Sequence, residues 1–501
     1  MKNICILFLS ALLLISCVDE TSISSNQVIV SGKVSDYEQV ENHNMMTLFV
    51  PDMFTEKNVE YQIIKDDGSF KFAFELNQPI DIELEYFGRT RFYVSPGDSL
   101  FIDIDGKCWT KVINNTQDLH DLYKVSGKGS ELAEEVKNYN VFFEDSINEA
   151  YHISDSIVRN LGPLDYSAYM NQKLKEDIAK LNNYLSSQPN SKQLVDWVKT
   201  DITQNNYWLR MRYIWRHPMK TGQDMKQFVS ELPESYFSFL EEANLSSSDF
   251  KTGWFGGLMH ELDVKTTLSI PQEVEDSLYF GDVIISEQIK FDIENYQSQY
   301  DGFFKDILIA KRYYRELENH EFNNLDGVYD PNLIADKNVK AQLETKYNEE
   351  LKLYEQLQAE DNSHLHILNS GSDFINDIVT KYQGKAIYID FWAPWCGPCM
   401  TEMEYAKGMK KSLKDKDVVF VYVGWQCTEE SWKATITEKG IKGEHYILEE
   451  EDLVELNKRL DINSIPRYIL INTDGEMIYS NAPHPSDNQV LLDAIDEALN
   501  I

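Results

Sequence analysis

Cysteine is scarce, with six in 501 residues, too few and too scattered for a framework of disulfides to hold a chain of this size together. A structural zinc site would need two ligand pairs. Beyond Cys396-Gly397-Pro398-Cys399 the chain has no second C-x-x-C and no H-x-x-H. Positive charge is also short: 47 basic against 83 acidic side chains leave a formal charge of −36, which repels phosphate backbones, and no basic patch overrides it. Nucleic acid is therefore excluded as a partner. No internal repeat is evident, so a solenoid is not expected.

What is present begins with Lys2 and an apolar run from Ile4 to Ile15. That run is too short to span a bilayer and fits the h-region of a signal peptide. Leu14-Ile15-Ser16-Cys17 follows and resembles a bacterial lipobox, which implies removal of residues 1–17 and a lipid on Cys17 that anchors the chain without spanning. Val18-Asp19-Glu20 resembles a surface-export signal of Bacteroidetes lipoproteins. A polar tether fills 18–27.

From Val28 the apolar period is two: Phe70, Phe72, Phe74; Ile80, Ile82, Leu84; Leu100, Ile102, Ile104. The alternate Asp81, Glu83, Glu85, Asp103 and Asp105 should face water. Asp67-Gly68 is a hairpin signal, and Ser95-Pro96-Gly97-Asp98 marks a further turn. Short strands at this spacing predict an N-terminal β-sandwich over 28–125, with Cys108 a buried apolar residue.

Leu132, Val136, Tyr139, Phe143 and Ile147 then recur at three and four residues, one face of a helix. Helical stretches at Gln193–Trp215, Met225–Leu232, Val283–Leu317 and Val339–Leu357, separated by Pro218, Pro233, Pro271 and Pro331, predict an all-α middle domain over 126–360. Tyr207, Trp208, Tyr213 and Trp215 read as core aromatics, with the lining of a partner groove as the alternative. His217, His260 and His320 have no ligand partner at helical spacing. Asp361 to Ser372 reads as a linker, with His364-Leu365-His366 a surface-facing strand edge.

Residues 361–501 read as an α/β domain. A short helix around Phe374 to Val379 precedes an apolar strand, Ala386 to Phe391. Pro394 ends that strand, and Met400, Met403, Ala406 and Met409 give the next segment helical spacing. Cys396 thus stands at a helix N-terminus, where unpaired N–H groups and the helix dipole favour a thiolate over a thiol. Cys399, one turn further in, would resolve a mixed disulfide formed by Cys396. Such a pair should lie open to solvent. Val418 to Val423 reads as a strand covered on both faces, Tyr468–Ile471 and Met477–Tyr479 as a terminal hairpin, and Ser486 with Gln489 as the cap of a last helix with Val490 on its buried face. Cys427 reads as idle, with a third redox thiol as the alternative.

Phe391-Trp392-Ala393-Pro394-Trp395-Cys396-Gly397-Pro398-Cys399 resembles the active-site segment of thioredoxin. The chain as a whole is similar to the TlpA and ResA type of thiol-disulfide oxidoreductase, in the multi-domain lipoprotein form of Bacteroidetes. The resemblance implies a thioredoxin fold with an extra βα segment. It implies a cis-proline at Ile465-Pro466 opposite the cysteines, a buried Asp390 that exchanges a proton with Cys399, and Trp395 as a shield over the disulfide. Arg467 departs from the threonine usual in thioredoxin. No cofactor is implied. The expected partners are protein disulfide substrates, the membrane through the lipid anchor, and a membrane electron donor of the DsbD or CcdA kind; the expected location is the cell envelope, on the periplasmic side or the outer-membrane surface. Gly397-Pro398 is thioredoxin's own dipeptide and implies a reducing potential, nearer roughly −270 mV than roughly −120 mV. Two readings stand beside reduction: a disulfide oxidase or isomerase, and a partner-binding lipoprotein in which the thiol pair is secondary. The Pro-x-x-x-Thr-x-x-Cys pattern of peroxiredoxins is absent.

Overall fold

The computed structural model describes residues 25–36, 45–55, 57–86, 88–106, 123–151, 153–279, 283–359, 365–368, 373–448 and 450–500. The expected signal peptide, Cys17, Cys108 and His364 lie outside them. A strand-rich N-terminal region leads into a large helical middle and a C-terminal α/β region.

Among the described residues, eight strands form the N-terminal region: β1 (Gln27–Ser35), β2 (Met45–Pro51), β3 (Lys57–Ile63), β4 (Ser69–Glu75), β5 (Ile80–Glu85), β6 (Arg89–Val94), β7 (Ser99–Asp105) and β8 (Tyr123–Lys128). They make two four-stranded sheets, ordered β4-β1-β7-β8 and β3-β2-β5-β6. Strand β7 alternates strictly, with Leu100, Ile102 and Ile104 inside, as the period of two requires.

Two expectations fail here for reasons visible in the packing. Asp67-Gly68 does turn the chain, with Gly68 N–H donating to the Lys65 carbonyl at 2.8 Å, but β3 and β4 belong to different sheets, so the turn crosses between layers and closes no hairpin. Asp81 is buried, not wetted. Helices cover the outer face of its sheet, and Asp81 takes the Arg91 guanidinium and the Gly253 N–H, the latter at 2.9 Å.

The longest helices of the middle region are Ser130–Tyr151, Pro163–Ser187, Lys192–Thr221 and Lys337–Ala359. They share one continuous core with both sheets, from Val28 and Ile82 through Tyr213 and Leu258 to Leu343. Pro218 does not separate helices; it lies in the last turn of Lys192–Thr221, which ends at Gly222 with φ 74°, the left-handed conformation that glycine adopts without steric cost. The stretch 283–317 is two helices, Ile285–Gln299 and Gly302–Glu318. Tyr213 is core, whereas Trp208 and Trp215 line a cavity of about 400 Å³ together with Trp254.

The C-terminal sheet has the order β14-β13-β10-β11-β12-β9, with β9 (Leu365–Leu368), β10 (Ala386–Trp392), β11 (Val418–Gly424), β12 (Glu444–Leu448), β13 (Arg467–Ile471) and β14 (Met477–Tyr479). Part of the expected linker is thus an edge strand, β9, parallel to β12. Strand β11 is only half-buried over its first three residues. Central β10 pairs with β11 in parallel and with β13 antiparallel. Helices Phe374–Lys381, Gly397–Ser412, Glu429–Lys439, Glu450–Leu460 and Gln489–Ala498 surround it. Ser486 does not cap the last of these; its hydroxyl and N–H both donate to the Glu402 carboxylate, at 2.8 and 2.9 Å. Val490 is exposed rather than core.

Gly32 in β1 admits no side chain: a Cβ there would lie 2.1 Å from the Ile102 carbonyl oxygen and 2.5 Å from the Phe70 ring. Gly32→Ala should destabilise by about 2–3 kcal/mol through overpacking, read as a lower urea midpoint. An unchanged midpoint would contradict this packing.

Candidate active site

Strand β10 is buried at all seven positions. Ile387, Ile389 and Phe391 enter one core beside Val421 and Ile469, while Tyr388 and Trp392 enter the other side of the sheet. Alternation places Asp390 on that second side. Beyond the strand, Ala393-Pro394-Trp395 brings the chain to Cys396, the N-cap of helix Gly397–Ser412, with Pro398 in its first turn. The Cys399 N–H donates to Cys396 Sγ at 3.2 Å, and the two cysteines are joined as a disulfide. A sulfur atom thus occupies the place where a helix start collects unpaired N–H donors.

The pair is not open to solvent. Cys396 is 4% exposed and Cys399 1%, because they pack into an apolar cluster with Trp392, Met403, Tyr422 and Trp432, with Ile465 and Cys427 at its margin. Access is nonetheless close at hand: Trp395 is 57% exposed, and Gly397 and Pro398 are exposed as well. The disulfide therefore lies directly under the surface. Trp395 donates its indole N–H to the Gln426 carbonyl at 3.0 Å, which draws the ring toward the loop after β11. The Ile465–Pro466 bond is cis, and Ile465 meets the cluster that holds both cysteines. Arg467, next along, donates to the Ser480 carbonyl at 3.0 Å.

Asp390 is 3% exposed, and its Oδ1 has no hydrogen-bond partner among the described residues. Burial pushes its carboxyl well above the usual range; Lys410 opposes the shift and Glu402 adds to it. Burial in turn pushes the Lys410 ammonium down to about 8, against the pull of Asp390. Its Nζ donates to the Tyr422 hydroxyl and the Lys442 carbonyl. Glu402 is itself pushed up by burial, but bonds from His484 and Ser486 bring it below its ordinary value. Lys410, Glu402 and His484 were not among the residues picked from sequence. Each takes its role from a tertiary contact, and Ser486 reaches Glu402 across 84 residues, a distance that no local pattern reveals.

Cys427 is a free, half-buried cysteine. Burial, reinforced by Glu321, pushes its thiol up to about 12, so it stays protonated at neutral pH and is a poor nucleophile. Among the described residues no group of three His, Cys, Asp or Glu side chains is placed to hold a metal ion, and no helix is long and apolar enough to cross a membrane.

Residues 384–477 match the family described as thioredoxin-like, and this part of the chain is a thioredoxin-like domain. Among its relatives, the thiol-disulfide oxidoreductase ResA of Bacillus thuringiensis is 25% identical over 96 residues, 19% of this chain and 54% of that protein. ResA of Oceanobacillus iheyensis is 37% identical over 51 residues, 10% of this chain and 27% of the relative. Of solved structures, a thiol-disulfide oxidoreductase from Bacteroides vulgatus is 34% identical, covering 24% of this chain and 83% of that one, with a TM-score of 0.21. The chain spans about half the length of the first of these curated relatives, 54%.

Two outcomes test the site's electrostatics. An unfolded aspartate titrates near about 3.9, whereas folded Asp390 holds its proton to higher pH. Above about pH 4 the folded state thus binds the extra proton, and stability falls as pH rises until the folded value is passed. Asp390→Asn should be more stable than wild type at pH 7 by at least about 1 kcal/mol, the scale of the penalty for a buried charge, with the gap closing below about pH 4. Equal urea midpoints at pH 7 would contradict this. After reduction, brief iodoacetamide treatment at pH 7 should label Cys396 ahead of Cys399 and Cys427, as read by peptide mapping; labelling of Cys427 first would contradict the assignment.

Proposed function

We propose that the chain is an extracytoplasmic, lipid-anchored thiol-disulfide oxidoreductase that reduces disulfides of secreted proteins. The observation that carries this reading is the Cys396–Cys399 disulfide at a helix N-cap, with buried Asp390 on the preceding strand and the cis Ile465–Pro466 bond just before β13.

In the reduced enzyme the Cys396 thiolate attacks one sulfur of a substrate disulfide. A Cys396–substrate bond forms, and the second substrate sulfur leaves as a thiolate that takes a proton. Burial raises the Asp390 carboxyl, which makes its ionised form a stronger base than an exposed carboxylate, and in that form it takes the Cys399 proton. Cys399 then attacks Cys396, the intramolecular disulfide re-forms, and the substrate departs with both thiols. Two electrons have moved from enzyme to substrate; one departing sulfur takes its proton from water and the other takes the Cys399 proton back from Asp390, and a membrane dithiol donor of the DsbD or CcdA kind restores the enzyme dithiol. Extended substrate backbone pairs beside Ile465, and Trp395 covers the disulfide between turnovers. The two N-terminal sheets, which share one core, are taken as a β-sandwich.

Lys2, the run Ile4–Ile15 and Leu14-Ile15-Ser16-Cys17 support export and a lipid on Cys17. The excess of acidic side chains leaves nucleic acid without a role.

With dithiothreitol as reductant, the full chain should catalyse insulin reduction, and Cys396→Ser should abolish it. Cys399→Ser should accumulate mixed disulfides with secreted proteins, visible on non-reducing gels. Equal activity in wild type and Cys396→Ser would sink the reading. A potential at the oxidising end would reverse the direction to that of an oxidase or isomerase.

A further inference from the structure

The helical region reaches the redox site. After helix Gly302–Glu318 the chain turns at His320, whose φ of 57° lies in the left-handed region, and runs along the thioredoxin-like domain. There Thr428 Oγ1 donates to Glu321 Oε1 at 2.7 Å, and Asn323 Nδ2 donates to Glu430 Oε2 at 2.7 Å. His320 is held from both ends of its ring, Nδ1 on Glu350 of the helical region at 2.7 Å and Nε2 on Glu438 of the redox domain at 3.2 Å. Burial would lower its pKa, but the two carboxylates push it up to about 9, so the imidazole is charged at neutral pH and donates both bonds. Helix Lys337–Ala359 packs on Glu429–Lys439 behind this clamp.

In front of the clamp a cleft of about 560 Å³ opens between the two regions. Asn319 and Glu321 line it from the helical side; Trp395, Cys427, Leu448 and Leu453 line it from the redox side. Trp395 immediately precedes Cys396, so a substrate whose disulfide reaches that sulfur has a neighbouring segment at the mouth of this cleft. The redox side mixes apolar Trp395, Leu448 and Leu453 with polar Gln426, Thr428 and Ser431, and the far wall offers carboxylate and amide groups, the mixture that takes side chains and backbone of an extended peptide. The volume accommodates a few side chains and no folded domain.

We infer that the helical region is the outer wall of the substrate cleft and restricts the enzyme to disulfides carried on narrow, extended segments, as in unfolded or short chains, against those on folded protein surfaces. This rests on the reading of Cys396 and Cys399 as an exchangeable pair. The Cys427 thiol does not compete for the substrate disulfide, because it stays protonated in the same cleft.

The test uses the full chain with dithiothreitol, comparing kcat/KM for a short peptide with one internal disulfide and for native insulin. Wild type should prefer the peptide. The double variant His320→Ala, Asn323→Ala removes clamp contacts outside the cleft lining and should raise kcat/KM for insulin about fivefold, the scale of one or two lost hydrogen bonds. Its rate on the peptide should stay within about twofold, which also shows that the variant is folded. Glu438→Gln, which weakens the same clamp from the redox side, should move the insulin rate in the same direction. A wild type that handles both substrates equally, or clamp variants that leave the insulin-to-peptide ratio unchanged, would overturn the wall. A wild type inactive on both would remove the redox reading itself, and this inference with it.

Discussion

Strand β10 has no solvent-facing side, and the site is built on that constraint. A strand covered on both faces accepts apolar side chains at every position, and six of its seven residues comply. The seventh, Asp390, is a carboxyl placed where its charged form is disfavoured. The same strand delivers the chain, after four intervening residues, to the start of helix Gly397–Ser412. Backbone N–H donors there favour negative charge on Cys396, while burial behind it favours a proton on Asp390. Two titrating groups with opposed preferences are thus held in one rigid element and the helix that follows it.

The remainder of the chain relates to this element in two ways. The thioredoxin-like domain carries its own apolar clusters, separate from the core that the sheets share with the helical region. Contact between the two bodies is instead largely polar at Glu321, Asn323 and His320, while helix Gly397–Ser412 also meets β3. Separate cores joined by hydrogen bonds allow a module to keep its chemistry while its surroundings decide what reaches it. Side-chain ion pairs with exposed partners, such as that of Glu438, are weak individually, so the combined clamp matters more than any one contact.

Much of the site's scaffold was legible in the sequence because it is local. The apolar run Ala386 to Phe391, Pro394 and the helical spacing after Cys396 are short-range signals, and strand and helix begin where those signals place them. Asp390 could be read as buried because its neighbours on both sides are apolar. What was not legible depends on partners far along the chain. The disulfide is covered by Trp392, Met403, Tyr422 and Trp432, which arrive from four separate elements, so its exposure could not be judged from Cys396 and its neighbours. Asp81 alternates as a surface residue does, yet a helical layer closes over it, reaching it at Gly253, 172 residues further along the chain. Asp67-Gly68 has the composition of a hairpin turn, but which sheet each flanking strand joins is decided by β1 and β2, not by the turn. The two carboxylates that hold the His320 ring come from residues 350 and 438, too far along the chain for local spacing to show.

The claim on which the rest depends is that the Cys396–Cys399 bridge exchanges reversibly. Its most direct measurement is a redox titration of the full chain in graded dithiothreitol buffers, following the intrinsic tryptophan fluorescence together with the thiol count. A single two-electron transition with a midpoint nearer roughly −270 mV than roughly −120 mV is the predicted result. A bridge that stays oxidised throughout the series, or opens only when the protein unfolds, would contradict the account.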